Sequence, residues 1–548
     1  MLSRRAGWAL AAPVAAVLVG YVLWPNLATF ELGLDAGVLG ELFGAGRAAG
    51  TRALVNSVGV SLGTVVGSGV VGTALAWALW RYELPLGRTL GAVAALPLAL
   101  PPLVGVLAFL FLYGESGMLP RGLQALFGLD AVPFSFGGVG AVLAVHVYVF
   151  YVYVYLFVGA ALRGLDASLL DASADLGAGG WTTFRRVVLP LLRPALVGSS
   201  LLVFMLSMAS FTAPLLFAEG EPFLTTQIYQ FKTNGALDRA AAVSVVLTGI
   251  CLLFLVGAES TGVTRAASGK GVGRAPGPLQ GPARVVAGVL VGLALVVVLL
   301  PVATVVLLSF VAEGSWTTQV LPDTFTLGNY AALATEPDVL APITSSLWMA
   351  ALATAANVVF GVATAVVIVK GRVPGRGALR ALSLLPFAVP GTVVALGLLV
   401  AFDEPSALAG GAVLIGTVWL LPLAYFVRHV PLVVRAAQAS LEGVDDRLAE
   451  ASADLGAGGW TTFRRVVWPA IVPGVVAGAL LTFVTALGEF VASVMLYVYA
   501  NRPISVEVFA QLRIFEFGQA AAYSVLLMAL VVLAVGASRL LGAGSRAV

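Results

Sequence analysis

"ASADLGAGGWTTFRRVV" stands at residues 172–188 and again, letter for letter, at 451–467. The sequence around both copies differs, and its composition decides the class of molecule. Hydrophobic residues make up 60% of the chain, charged residues 10%, and mean hydropathy is +1.01. A soluble domain is about half apolar and about a quarter charged. The chain therefore reads as an all-α membrane protein. Apolar runs of roughly 20 residues, enough to cross a bilayer as helix, fall near 7–24, 54–79, 91–113, 138–160, 193–217 and 241–258. A second set falls near 285–310, 345–369, 380–402, 409–427, 471–497 and 521–541. That gives about twelve transmembrane helices, six on each side of a polar stretch at 259–284. The runs are continuous rather than alternating, which excludes a β-barrel. The basic and apolar start is also how a signal peptide begins. The run continues to Trp24 without a clear small-residue cleavage site, so an uncleaved first span is expected.

Alternating the spans from an inside N-terminus puts 23 of the 30 Lys and Arg residues on the cytoplasmic side and 7 outside, as the positive-inside rule requires. Both termini and both copies of the quoted stretch are then cytoplasmic, and the chain is a multi-pass protein of the cell membrane. The net charge of +3 and pI near 9.0 would hint at nucleic acid in a soluble protein. Topology accounts for the basic residues here, so the bilayer and not a nucleic acid is the expected partner. Cys251 is the single cysteine and there are two histidines, too few for a disulfide or a metal cluster. Residues 262–283, rich in Gly, Pro and Ala, read as a flexible cytoplasmic linker between a first domain at 1–261 and a second at 284–548. The linker's "SGKG" is not a phosphate loop. Thr264 stands where the first glycine is needed and Gly271 where Ser or Thr is needed, so no ATPase site is expected in this chain.

The repeat extends beyond the identical block. "LPLALPP" at 96–102 answers "LPFAVPG" at 385–391, and "AAAVSVVL" at 240–247 answers "AAAYSVLL" at 520–527. Six spans per half in the same order make two parallel repeats, related by an axis along the membrane normal. Lipid-facing and packing positions accept one apolar residue for another, whereas a surface that fits a specific partner does not. Two identical surfaces about a pseudo-two-fold axis fit a partner with two identical docking sites, most simply a homodimer. Local gene conversion is the bland alternative. The block also has a readable shape. Leu165, Leu169, Ala172 and Leu176 follow helical spacing, with Asp166 near the start. Gly177, Gly179 and Gly180 allow a sharp turn. "WTTFRRVV" then begins a second short helix with Thr182 or Thr183 placed to cap it, and Pro190 opens the next span. Leu448, Leu455, Gly456, Trp460 and Pro469 repeat the pattern. An exposed Trp beside two Arg suits an interface.

With Gly177, Phe184 and Pro190, the run Asp171-Ala172-Ser173 resembles the "EAA" loop of ABC importer permeases. Glu450-Ala451-Ser452 with Gly456, Phe463 and Pro469 resembles it more closely, since the first copy has Asp for Glu. The resemblance covers nearly the whole chain and implies a type I importer permease with both membrane domains fused. Each loop would then be a coupling helix seated in a homodimeric cytoplasmic ATP-binding subunit pair, which would use the ATP. No cofactor would be bound by this chain. The coupling residues implied are Asp171, Ala172, Gly177, Trp181, Phe184, Arg185 and Arg186, then Glu450, Ala451, Gly456, Trp460, Phe463, Arg464 and Arg465. No outer loop is large enough to be a substrate-binding domain, so an extracytoplasmic substrate-binding protein would deliver the cargo. The run "ALGEFVASVMLYVYANRPISVEVFAQLRIFEFGQAAAYSVLLM" is most similar to iron(III) permeases, with thiamine, 2-aminoethylphosphonate and polyamine permeases as near relatives.

Other residues carry open readings. Glu489 lies in the eleventh apolar run, in "LGEF", opposite Ser210 in "MASF" of the first half. It is either a pathway-lining carboxylate or a structural one. His146, whose counterpart is Tyr425, and the Tyr run 148–155 read first as packing. Gly63 and Gly67 form a G-x-x-x-G for close helix packing. Pro97 and Pro101 are expected to kink the third span, and Pro386 and Pro390 the ninth, as candidate gate elements. The competing class is a secondary transporter with parallel repeats. It would need ionisable residues at the midplane and no identical loops.

Overall fold

The computed structural model describes residues 4–44, 48–260, 277–316, 319–371 and 373–544. Among these residues eleven helices are long and apolar enough to cross a membrane. A twelfth span is a broken pair, Arg376–Ala388 and Gly391–Ala401, bent by 111°. The protein is thus an all-α membrane protein with two repeats. Helix is the form an apolar chain takes in hydrocarbon, because each peptide N–H finds its carbonyl within the same segment. Of the linker, 262–276 lies outside the described residues. Its end pairs Gly277–Pro278 in parallel with Tyr82–Glu83, just past the Ala49–Arg81 span.

Four spans differ in their helices from the expected apolar runs. The third is in pieces, Gly87–Val93, Leu96–Ala99 and Pro102–Tyr113. The tenth starts at Leu420 and runs to Glu442, so the apolar residues 409–419 are not a span and Arg428 and His429 lie inside the helix. Arg428 therefore does not belong with the cytoplasmic bases. In the eleventh, helix stops at Leu487 and resumes at Val491–Leu496, which leaves Glu489 in a break rather than within a helix. The fifth span breaks at the same step, between Leu189–Met208 and Thr212–Phe217. Hydropathy sees all of these as apolar and is blind to where the backbone turns.

Close helix approach is bought by glycine. A Cβ on Gly67 would lie 2.6 Å from Val147 Cγ2, and one on Gly72 would lie 2.7 Å from the Tyr151 carbonyl, so the Ala49–Arg81 and Gly138–Arg163 helices pack almost backbone to backbone. In the second half Gly361 plays this part against Val433. The halves also embrace. The first span packs on the second half, with Tyr21 hydroxyl donating to the Leu408 carbonyl at 2.5 Å and a Cβ on Gly397 falling 2.9 Å from the Pro25 carbonyl. Reciprocally, the first span of the second half, Pro282–Leu308, accepts at its Val298 carbonyl from the Tyr148 hydroxyl at 2.8 Å.

The pseudo-symmetry reaches single hydrogen bonds. Leu224 N–H donates to Ser57 Oγ at 3.0 Å, and Ile504 N–H to Ser346 Oγ at 2.8 Å. Thr225 Oγ1 donates to the Ser210 carbonyl and Ser505 Oγ to the Glu489 carbonyl, each at 2.8 Å.

Candidate functional site

Two places stand out: the twin loops at one end of the bundle, and the breaks where the halves meet. Each loop begins with a helix, Ala167–Asp175 or Asp446–Asp454. An aspartate caps it, Asp166 accepting from Ser168 N–H and Asp445 from Arg447 N–H, both at 3.0 Å. Gly177 and Gly456 then turn the chain at φ +75° and +80°. Nothing lies within 4 Å of a Cβ built at either position. The glycines are there for conformation and not for space.

The next helical turn starts at Gly180 and Gly459, and its caps are Gly179 and Gly458. This corrects the expectation that Thr182 or Thr183 caps it. Thr183 Oγ1 instead bonds Ser173 Oγ at 2.9 Å, and Thr462 Oγ1 bonds Ser452 Oγ at 2.9 Å, tying the two arms of each loop together. Nor is the second helix a separate short one. It passes through a π-helical turn, Phe184–Val188 or Phe463–Val467, straight into the following span. Trp181 stacks on Phe184 and Trp460 on Phe463, with ring centres 5.7 Å apart in both. Leu176 and Trp181 are exposed, as are Leu455 and Trp460. Asp171, Ala172, Arg185 and Arg186 are exposed as well, as are Glu450, Ala451, Arg464 and Arg465. Such a surface is two apolar anchors ringed by charge, the makings of a docking knob. The second loop has an extra tie. Asp446 meets Lys370 at 2.5 Å, and that hydrogen bond, with the ammonium charge, holds its carboxyl below the usual range.

Where the halves meet, Phe211 and Phe490 face each other, ring centres 6.0 Å apart, and both are buried. A Cβ on Gly488 would lie 3.2 Å from Pro101 Cβ, so the break of one half touches the break of the other. Pro101 and Pro390 each sit immediately before a helix, Pro102–Tyr113 and Gly391–Ala401. Pro97 lies in the first turn of the short Leu96–Ala99 helix, and Pro386 lies inside the Arg376–Ala388 helix and does not break it. The two centres differ in chemistry. In the first half His146 bridges Ser207 Oγ at 2.9 Å and Ser210 Oγ at 2.8 Å. In the second, Arg428 Nε meets Glu489 Oε2 at 2.6 Å while Ala492 N–H donates to Oε1 at 3.0 Å. Tyr425, where the first half has His146, bonds Ser493 at 2.7 Å. The Arg428 guanidinium lies against Gly391, where a Cβ would fall 1.9 Å from Nη1.

The family model for the binding-protein-dependent transport system inner membrane component matches twice, at residues 68–259 and 357–546. The chain belongs to this family of ABC importer permeases. The permease is 30% identical over 521 residues to a probable ABC transporter permease protein, y4fN, of Sinorhizobium fredii, with 92% of this chain and 91% of the relative covered. It is 28% identical to the ferric transport system permease protein FbpB of Actinobacillus pleuropneumoniae, covering 84% of this chain and 67% of the relative. The sulfate transport system permease protein CysT of Escherichia coli is 32% identical over 42% of this chain and 82% of its own length.

Two groups of this permease's centre went unread in its sequence. Arg428, in "FVRHV", directly follows the apolar run 409–427, and its meeting with Glu489 needs the fold. Phe211 and Phe490 hid among 28 phenylalanines. Their positions right after Ser210 and Glu489 in the two repeats were the available signal.

Proposed function

We propose that this permease is the membrane subunit of an ATP-driven importer for iron(III). Substrate is received from an extracytoplasmic binding protein, and both loops dock on a cytoplasmic ATPase dimer. Both termini are cytoplasmic in this reading. The observation that carries it is the twinned loop: two surfaces with the same anchors and the same ring stacking suit a partner with two equal sites. Iron is favoured because the ferric relative matches across 84% of the chain, and the sulfate relative across 42%. In this role the residues do no covalent chemistry. Gly177 and Gly456 set the turn, Trp181 and Trp460 with the neighbouring Arg pairs seat the knobs, and Ser210 and Glu489 with the helix breaks at Pro101 and Pro390 form the moving centre.

The test is reconstitution in proteoliposomes with the ATPase and the binding protein. Radiolabelled iron(III) accumulation with ATP is expected, without competition from thiamine, 2-aminoethylphosphonate, polyamine or sulfate. Uptake of one of those instead would replace the cargo. ATP hydrolysis is expected only when the ATPase subunit is present, and turnover by the purified permease alone would overturn its role as a pure transport subunit.

A further inference from the structure

The same turn occurs in both halves with different residues. Between Leu224–Thr233 and the Leu237–Ser260 helix, Gly235 N–H donates to the Lys232 carbonyl at 3.1 Å and Ala236 N–H to the Phe231 carbonyl at 2.9 Å. Between Ile504–Arg513 and Phe517–Gly544, Phe515 N–H donates to the Leu512 carbonyl at 3.2 Å and Glu516 N–H to the Gln511 carbonyl at 3.0 Å. The backbone needs a left-handed residue at this step, as helix ends often do. The first half supplies Gly235 at φ +76°, whereas the second supplies Phe515 at φ +65°. A bulky residue there is a genuine outlier. The preceding residue changes in the same sense, from Asn234 to Ile514. Phe515 is 74% exposed and Ile514 63%, so neither side chain is repaid by burial within the chain. Leu86 makes a similar substitution against Gly375, at the end of the bundle that carries the twin loops.

Phe515 stands on an aromatic base. Phe515 meets Phe517 at 6.0 Å, Phe517 packs edge-on to Trp316 at 5.7 Å and to Phe111 at 5.6 Å, and the Arg121 guanidinium covers Trp316 at 5.8 Å. Beside it stand Glu516 and Glu313, and partial burial, with that neighbour, raises the Glu516 carboxyl above the usual range. Arg513, the nearby base of the same turn, leans over the Phe509 ring at 5.9 Å. These charged groups place the turn at water rather than in hydrocarbon, where each would be costly. Strained apolar side chains held on an aromatic pedestal beside two carboxylates have the character of an interface anchor.

We propose that Ile514 and Phe515 are the docking anchor for the extracytoplasmic substrate-binding protein, entering an apolar socket flanked by Lys or Arg that answer Glu313 and Glu516. The proposal rests on the import reading, since this turn lies at the opposite end of the bundle from the twin loops. It makes the docking asymmetric, with the second half gripping and the first half, with Asn234 and Gly235, offering a plain turn.

The test uses the full permease with its ATPase in nanodiscs, and as probe the purified extracytoplasmic binding protein of the same importer. The double variant Ile514→Asn, Phe515→Gly installs the first half's residues and relieves strain, so it folds at least as well as the parent. Binding-protein affinity is expected to fall at least tenfold and binding-protein stimulation of ATP hydrolysis to vanish, while hydrolysis without the binding protein is unchanged. Parental affinity in the variant overturns the proposal. Phe515→Cys gives an independent readout because the native Cys251 is buried. In intact spheroplasts, whose cytoplasmic side is closed to the reagent, a membrane-impermeant maleimide is expected to label it from outside, and the binding protein to protect it. Labelling only from the cytoplasm, or labelling that the binding protein leaves unchanged, sinks the anchor. A binding protein that fails to engage even the parental complex, while the ATPase still docks, counts against the import reading itself.

Discussion

The twin loops and the twin centres have fared differently. At the loops, seventeen identical residues fold to the same caps, the same Ser–Thr tie and the same ring separation of 5.7 Å. At the centres the backbone breaks at equivalent steps and the carbonyls of Ser210 and Glu489 are held alike. Yet one side chain set is a Ser–His–Ser chain and the other an Arg–Glu ion pair. A surface read by two copies of one partner must stay duplicated. If the centre is the cargo's path, as proposed, a single cargo gives it no reason to be symmetric, and each half is free to settle its buried polar groups in its own way.

The comparison breaks most decisively at the loops. Gly177→Leu together with Gly456→Leu is expected to abolish ATPase capture and uptake with the protein still inserted, because positive φ penalises a side chain by about 1 kcal/mol or more and moves a knob that must fit its groove. Either single change should impair uptake by a similar factor, and wild-type uptake with ATPase binding in the double variant would show that these loops are not the coupling surfaces. Next come the centres. Glu489→Leu alone strands Arg428 beside a helix break and is expected to cost about 3–5 kcal/mol, whereas Arg428→Leu with Glu489→Leu recovers most of that. Ser210→Ala, its first-half counterpart, should cost about 1 kcal/mol. Thermal unfolding in nanodiscs reads all three, and equal losses at Ser210 and Glu489 would contradict the asymmetry.

Gly391→Ala sharpens the same point. Its Cβ would displace the Arg428 guanidinium, at a cost of about 1–3 kcal/mol, and that cost should disappear when Arg428→Ala and Glu489→Gln are already present. Persistence of the full cost in that background would assign Gly391 to helix packing alone. Smallest is the tie within the loops: Ser173→Ala and Ser452→Ala should each cost about 0.5–1.5 kcal/mol, by equal amounts. Unequal losses would mean that the second loop leans on its Lys370–Asp446 contact.

Much of this was legible in the sequence, for a physical reason. Span number, the parallel repeat and the loop helices follow from apolar length, duplication and glycine placement, all local signals. Gly177 and Gly456 could be read as turn points because no other residue suits positive φ so well. What escaped depends on backbone turns within apolar runs. The proline pairs announced breaks in the third and ninth spans, but which proline breaks and which rides inside a helix depended on the neighbours. The breaks at Ser210 and Glu489 carry no proline at all. Arg428 could not be placed because charge near a hydropathy boundary reads as outside. The tenth helix starts about ten residues later than its apolar run and carries the guanidinium inward to Glu489. The embrace of each half by the other's first span is invisible to any pattern within one segment.

One consequence follows from the π-helical turns. Because helix runs without interruption from Gly180 to Met208 and from Gly459 to Leu487, each loop is the foot of a lever whose far end stops beside Phe211 or Phe490. Each arm has 29 residues, roughly 43 Å at about 1.5 Å per residue. A tilt of about 10° about the foot sweeps the far end by roughly 7 Å on that length, more than the 6.0 Å between the two ring centres. On the proposed coupling, the sweep from a small tilt of the arm is thus comparable to the separation of the two rings.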